Sequence, residues 1–581
     1  MNRYLILSVG LLALAACSQT TPDLDVTLPD ERGPETVELP DVALPDERGP
    51  EIMPGPAMVS AANPHAVEAG LEALRNGGNA IDAAIAIQTT LTLVEPQSSG
   101  IGGGAFMLYF DHATGETIVY DGRERAPAST TPEHWLDEAG EPIGFLNAWT
   151  SGLAVGVPGV IAMFAEAHED HGQLDWADNF AFAADLAEAG FEISPRMQGF
   201  MGRVAEFHDV SAFPEMRAYF YDEDGEAWPV GHLLVNEDYA ASLRMIGEDW
   251  RNFYEGALAE EIIAAVNSGP NPGNMTLEDL AGYRASVRQP LCRHYRAWEI
   301  CSAPPPSSGG ISVNQIMGML EPFDMSATGP DTLEGWRRYI EASRLAYADR
   351  DVFIADTDYV DVPAEALLSE EYIAARAALI DRDTPLTGIE AGEPDAPGTT
   401  HFVVVDHDGN VVSMTASVEF LFGSNRMAGG FFLNNQLTDF NRDPYDAAGN
   451  LTANAPDSGK RPRSSMSPTI VFDEDGTFVL ATGSPGGTSI IAYVAKTLVG
   501  MLDWGLTPQE AIELPNVVAR GDTVRLEETF PEDIAAELSA MGFTLDANRS
   551  ENSGLHIVRR LGDGTLIGGA DPRREGIVGE P

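Results

Sequence analysis

The chain has 581 residues and a formal net charge of −56, from 34 Lys and Arg against 90 Asp and Glu. A chain that binds nucleic acid must neutralise phosphates with positive charge, so this balance argues against such a partner; lysine occurs only at Lys460 and Lys496. The length exceeds one ordinary core, although a large α/β layer structure can absorb most of it. With three cysteines and no Cys/His cluster at ligand spacing, neither a metal nor a cofactor is expected.

Residues 1–16 carry Arg3, then an apolar run that is too short to span a bilayer and has the form of a secretory signal. Leu14-Ala15-Ala16-Cys17 resembles the bacterial lipoprotein box, which makes Cys17 the expected acylated first residue. Ser18 in place of an aspartate favours the periplasmic face of the outer membrane in a diderm bacterium. Residues 17–54 hold the repeat VTLPDERGPE and VALPDERGPE, beginning at Val26 and Val42, and read as an acidic, proline-rich tether.

Residues 55–398 read mostly as scaffold. Helices are expected over 63–76 and 80–93, followed by a glycine-rich turn over 95–104 and a strand over 105–110. A second strand ends at Tyr120, and Arg123 after it is a candidate anion clamp, because a guanidinium matches a carboxylate bidentately. Helices and loops alternate over 174–190 and 234–266, and Thr276 caps a helix at 275–282. Cys292 and Cys301 flank a short hairpin, and export permits their pairing as a disulfide. Pro304–Gly310 breaks the chain before a helix at 311–320. A further helix over 336–352 places Glu341 and Arg344 three residues apart, as a pair on one face.

A proline- and glycine-containing loop over 381–398 leads to Thr399 and is expected to expose the Gly398–Thr399 bond. Residues 401–405 and 411–418 form a β-hairpin around the turn 406–410. A threonine hydroxyl needs a base, and cutting the chain before Thr399 supplies one, its own α-amine. Strands at 430–433, 469–472 and 477–481, helices at 490–499 and 507–514, and a late strand at 555–559 follow. Strands then helices on both sides of residue 398 predict an α+β, four-layer αββα sandwich shared by the two parts.

Thr399-Thr400-His401, Asn434–Phe440, Arg461–Thr469 and Gly483–Gly487 together resemble the small subunit of the γ-glutamyltranspeptidases, which are self-cleaving N-terminal-nucleophile hydrolases. The likeness continues through Gly77–Ala84, Gly100–Gly104, Arg123-Glu124 and Pro304–Gly310, from about residue 58 to the end. It implies a precursor cut at Gly398–Thr399 into a large piece (55–398) and a small catalytic piece (399–581) that stay together as a heterodimer. Thr399 is then the nucleophile, Ser417 faces its amine, and Gly486 and Gly487 supply oxyanion donors. Asp439 and Gln436 take the ammonium side of a γ-glutamyl donor, and Arg123, Ser464 and Ser465 its carboxylate side. Glu419 stands where family members have asparagine or glutamate, and Thr438 departs from a frequent acidic residue.

The activity so implied is γ-glutamyl hydrolysis or transfer, from glutathione and related small molecules to water, an amino acid or a peptide. Two alternatives stand beside it: a cephalosporin (glutaryl) acylase of the same family, and a non-catalytic, surface-anchored binding protein. A glutaryl substrate has no ammonium and would leave Asp439 unpaired, so that residue favours γ-glutamyl compounds. The family's lid corresponds to residues 441–459, compact here, which points towards substantial hydrolysis.

Overall fold

The computed structural model describes residues 57–380, 384–388, 398–549 and 553–581. Cys17, the signal segment, the acidic repeat and most of the loop before Gly398 lie outside them. Among the described residues no helix is long and apolar enough to cross a membrane.

The framework begins with β1 (Met58–Ala61), α1 (Pro64–Arg75), α2 (Ala80–Val94), β2 (Gly104–Asp111) and β3 (Glu116–Asp121). After a mostly helical stretch come β4 (Ser286–Arg288), β5 (Leu291–Tyr295), β6 (Trp298–Ser302), α3 (Gly309–Leu320) and α4 (Leu333–Phe353). Past Gly398 the elements are β7 (Thr399–Val405), β8 (Val411–Ser417), β9 (Thr469–Asp473), β10 (Phe478–Gly483), α5 (Ile490–Leu502), β11 (His556–Arg560), β12 (Leu566–Ala570) and β13 (Ile577–Gly579).

One sheet has the order β13-β1-β7-β8-β2-β3-β4 and the other β12-β11-β10-β9-β6-β5. Each mixes strands from both sides of residue 398, so a cut there does not divide the molecule into independent cores. The central strands of the first sheet, β1, β7, β8 and β2, are buried on both faces. Met107, Phe402, Val404, Val412 and Met414 pack towards α1 and α2. Their alternates Phe106, Leu108, Val403, Val405 and Val411 belong to the core that holds the second sheet. Phe110 and Phe472, with ring centroids 4.9 Å apart, meet between the sheets. Helices α3 and α5 cover the far face of the second sheet, which completes the αββα order.

Local chemistry explains the outer layers. Every residue of the alanine-rich α2 is buried, and Asn79 and Asp82 close its start as a capping box. Helix α4 contains the expected Glu341–Arg344 pair at 3.2 Å, and Thr276 caps a helix over Leu277–Ala281. In the β5–β6 hairpin Cys292 stands directly opposite Cys301, and their sulfurs are bonded with Cα atoms 4.0 Å apart. The strand expected over 430–433 shrinks to Phe431–Phe432, paired only with Met427–Ala428. A separate three-stranded sheet of Val517–Ala519, Thr523–Glu527 and Thr544–Arg549 has no counterpart in the sequence reading.

Candidate active site

Thr399 opens β7 and is paired in register with Ser417, the last residue of β8. The two side chains share a face of the sheet, with Thr399 Oγ1 3.2 Å from Ser417 Oγ. Ser417 Oγ donates to the Gly398 carbonyl at 2.6 Å and accepts the Glu419 N–H at 2.8 Å. Its single proton is therefore committed to Gly398, and the Thr399 hydroxyl donates to Ser417. The expectation of an exposed Gly398–Thr399 bond is corrected: both residues are buried, and a Cβ on Gly398 would come within 2.0 Å of the Glu419 carbonyl oxygen. Glu419 itself holds φ +81°, a left-handed conformation that turns the chain out of β8 over this bond.

The backbone of Thr399 is fixed by groups remote in sequence. Arg574 Nη1 donates to the Thr399 carbonyl at 2.7 Å and lies 3.3 Å from Glu95 Oε1. The other Glu95 oxygen accepts the Thr400 hydroxyl at 2.8 Å. Beyond β10 the chain turns through Gly486 (φ +132°) and Gly487 (φ +57°), values that favour glycine, and a short turn over Gly487–Ser489 leads into α5. Among the described residues neither N–H donates a hydrogen bond, leaving two donors unspent near the start of a helix. Gly487 lines the cleft with Thr399 and Ser417.

That cleft, about 70 Å³, is also lined by Arg123, Glu419, Gln436, Asp439, Ser464 and Ser465, so the structure gathers nearly every residue singled out from sequence. Gly486, which precedes Gly487, is not among the lining residues. The pairing differs from expectation in one respect. Arg123 and Asp439 do not face separate ends of the cleft but bind each other, Nη2 to Oδ2 at 2.5 Å, and Gln436 Nε2 donates to the same Oδ2 at 2.8 Å. The other Arg123 side-chain contacts among the described residues are Nε to the Pro462 carbonyl and Nη2 to the Arg463 carbonyl, which leaves the Nη1 protons without a hydrogen-bond partner among them. Nη1 lies 3.6 Å from the buried Glu124 carboxyl, whose oxygens accept no hydrogen bond from a described residue. Burial pushes the Glu124 carboxyl up to about 8 even though Arg123 pulls it down.

Ser464 and Ser465 are set by the Pro304–Gly310 segment and α4. Ser308 N–H donates to the Ser464 carbonyl at 2.9 Å, and Arg350 Nη2 donates to Ser465 Oγ at 2.6 Å. Residues 441–459, expected as a lid, contribute nothing to the cleft lining. Tyr445 and Leu451 bridge within this segment, and Asn454 holds the Asp439 carbonyl at 2.7 Å. Sequence reasoning missed Arg350, Met466, Thr488 and Ile490 in the lining and the Glu95–Arg574 anchor. Arg350 belongs to a helix read as scaffold, and Glu95 and Arg574 acquire meaning only across 479 positions.

Four findings relate this chain to known proteins. A sequence model described as Gamma-glutamyltranspeptidase matches residues 66–580. The glutathione hydrolase proenzyme of Escherichia coli (strain K12) is 38% identical over 536 residues, 89% of this chain and 90% of that one. The acylase ACY 1 proenzyme of Pseudomonas sp. (strain SE83) is 34% identical over 530 residues, 89% and 92% of the two chains. Among solved structures, the cephalosporin acylase from Bacillus halodurans superposes with a TM-score of 0.81 at 30% identity, covering 94% of this chain and 99% of that one. With its αββα layers and the match extending over most of its length, the chain belongs to the gamma-glutamyltranspeptidase family of enzymes.

Proposed function

We propose that the chain cuts itself at Gly398–Thr399 and then acts on γ-glutamyl amides through Thr399. The observation that carries this reading is the Thr399–Ser417–Gly398 hydrogen-bond chain. As the Thr399 oxygen attacks the Gly398 carbon, its proton passes to Ser417, whose own proton goes to the carbonyl oxygen. Collapse breaks the amide C–N bond, the Thr399 nitrogen takes a proton, and water opens the resulting ester. A large piece ending at Gly398 and a small piece beginning at Thr399 result, held together by their shared sheets.

In the second stage the free Thr399 amine serves as base while the hydroxyl attacks a γ-glutamyl carbonyl. The Gly486 and Gly487 N–H groups stabilise the oxyanion, the amine leaves with a proton, and water or an acceptor amine takes the acyl group. The Arg123–Asp439 pair supports selection of this donor. A γ-glutamyl group carries both an ammonium and a carboxylate, so it can exchange partners with the pair and leave neither charge alone. A glutaryl group brings only a carboxylate and strands Asp439. The acylase reading is the second one, favoured by the likeness to the Bacillus halodurans acylase. Comparing kcat/KM for γ-glutamyl and glutaryl 4-nitroanilide separates them: the first should be preferred, and a glutaryl preference would replace this reading. Thr399→Ala should remain one uncut, inactive chain.

Export and lipidation at Cys17 complete the proposal, on the strength of the apolar segment and its Leu-Ala-Ala-Cys ending. Mass spectrometry of the N-terminal peptide from native cells tests it, and an unmodified start elsewhere would refute it.

A further inference from the structure

The turn between β12 and β13 carries Arg574, whose Nη1 donates to the Thr399 carbonyl at 2.7 Å and lies 3.3 Å from Glu95 Oε1, with both side chains buried. A residue's nitrogen and its carbonyl oxygen are three bonds apart, at most about 3.6 Å, so this guanidinium nitrogen lies within about 6 Å of the Thr399 nitrogen. Glu95 Oε1 also pairs with Arg196, whose Nε is 3.6 Å away, and Glu95 Oε2 accepts the Thr400 hydroxyl. Burial pushes the carboxyl of Glu575, beside Arg196 and Glu95, up towards its neutral form. Two guanidiniums therefore share the Glu95 carboxyl next to the start of β7, a local excess of positive charge in a chain of net charge −56.

Before the cut the Thr399 nitrogen is an amide and carries no charge. Afterwards it is an α-amine, with an ordinary pKa of about 7.7–8.0, and as an ammonium it has no lone pair to act as base. A buried cation about 6 Å away disfavours that ammonium, since charges interact more strongly in the interior than in water. We propose that Arg574 and Glu95 are positioning residues for the base: Arg574 holds the Thr399 backbone and keeps the freed amine unprotonated at neutral pH, and Glu95 moderates that effect. The inference rests on the reading of Thr399 as a nucleophile freed by self-cleavage. The remaining charged groups near the amine belong to other elements. Glu419 follows β8, Arg123, Asp439 and Arg350 line the cleft with Thr399, and Glu124 adjoins Arg123. His401, next on the same face of β7, is held well below its ordinary value by burial and is neutral. These groups are common to the wild type and the variants below, so a difference between profiles reports Arg574 and Glu95.

The test is the pH profile of kcat/KM for γ-glutamyl-4-nitroanilide with the self-processed protein, whose acid limb reports the groups of the free enzyme that must lose a proton. The wild-type limb should lie near pH 7, about 1 unit below an ordinary α-amine. Arg574→Gln should move it up by about 1 unit, so that a loss of about fivefold at pH 7 is largely recovered at pH 9. Arg574→Lys, which keeps the charge, should leave it nearly in place. Glu95→Gln leaves the guanidinium unopposed and should move the limb down. A purely structural anchor gives no such opposed shifts, because lost packing slows turnover alike at every pH. A wild-type limb at about pH 8 or above, variants that slow turnover without moving the limb, or shifts in one direction in both Arg574→Gln and Glu95→Gln would overturn the inference while leaving Thr399 as nucleophile. If Arg574→Gln does not cut itself, the wild-type limb and Glu95→Gln decide. A wild-type small piece that begins elsewhere than Thr399 would instead remove the nucleophile, and this inference with it.

Discussion

Replacing Asp439 with alanine separates the donor's two charges. Asp439 is one-third exposed and accepts from Arg123 Nη2 at 2.5 Å and Gln436 Nε2 at 2.8 Å. In the proposed complex it turns to the substrate ammonium while Arg123 turns to the substrate carboxylate. Losing one member of a buried charged pair costs roughly 2–5 kcal/mol, and partial exposure places this one near the lower end, about 2–3 kcal/mol. The corresponding fall in kcat/KM for γ-glutamyl-4-nitroanilide is about 30- to 160-fold. Glutaryl-4-nitroanilide should respond differently, because Asp439→Ala releases Arg123 from its internal partner and removes a carboxylate that this substrate leaves stranded. Its kcat/KM should hold or rise. Asp439→Asn, of the same shape without the charge, should follow the alanine variant on the γ-glutamyl substrate. Self-cleavage should proceed in both, since no substrate ammonium takes part in it. An equal loss on the two anilides would reduce Asp439 to a structural partner of Arg123 and refute the argument from exchange.

Ser417→Ala removes the hydroxyl that links Thr399 to the Gly398 carbonyl; conversion of precursor, followed on denaturing gels, should slow by about tenfold or more, while Ser417→Thr still converts. Full-speed cutting by the alanine variant would exclude the relay. Glu124, raised to about 8 when folded from a reference of 4.5, keeps a proton that the unfolded chain releases. Stability should therefore fall as pH rises from about 4.5 to 8 and level off above, and Glu124→Gln should flatten this part of the thermal-midpoint profile; parallel profiles would contradict it. Opening the Cys292–Cys301 bridge, which closes a loop with a sequence separation of 9, should cost about 2–3 kcal/mol by loop entropy. Both thiols titrating as free in denatured, unreduced protein would contradict the bridge.

Most of the framework was legible because its signals are local. The apolar, alanine-rich run over 80–93 announces α2, and the β-branched runs at 401–405 and 411–417 on either side of a polar turn announce the hairpin. Alternation could not tell the inner face of a sheet buried on both sides, since Phe402 and Val403 are equally apolar and equally buried. The site's residues were legible through motifs, but their partners were not. Arg123 and Asp439 each suit a zwitterionic substrate, and sequence offers no means of seeing that they bind each other across 316 positions. The burial of Gly398 was missed for a similar reason: proline and glycine before it signalled a loop, whereas the carbonyl of Glu419, left-handed after Ser417, closes over it.

Thr399 as the nucleophile freed by self-cleavage is the claim on which the rest depends. Mass spectrometry of the purified protein mixed briefly with a γ-glutamyl donor and quenched in acid tests it directly. The expected product is a small piece whose first residue is Thr399 and which carries one γ-glutamyl group on that residue. A small piece beginning elsewhere, or an acyl group localised to any other side chain, would contradict it.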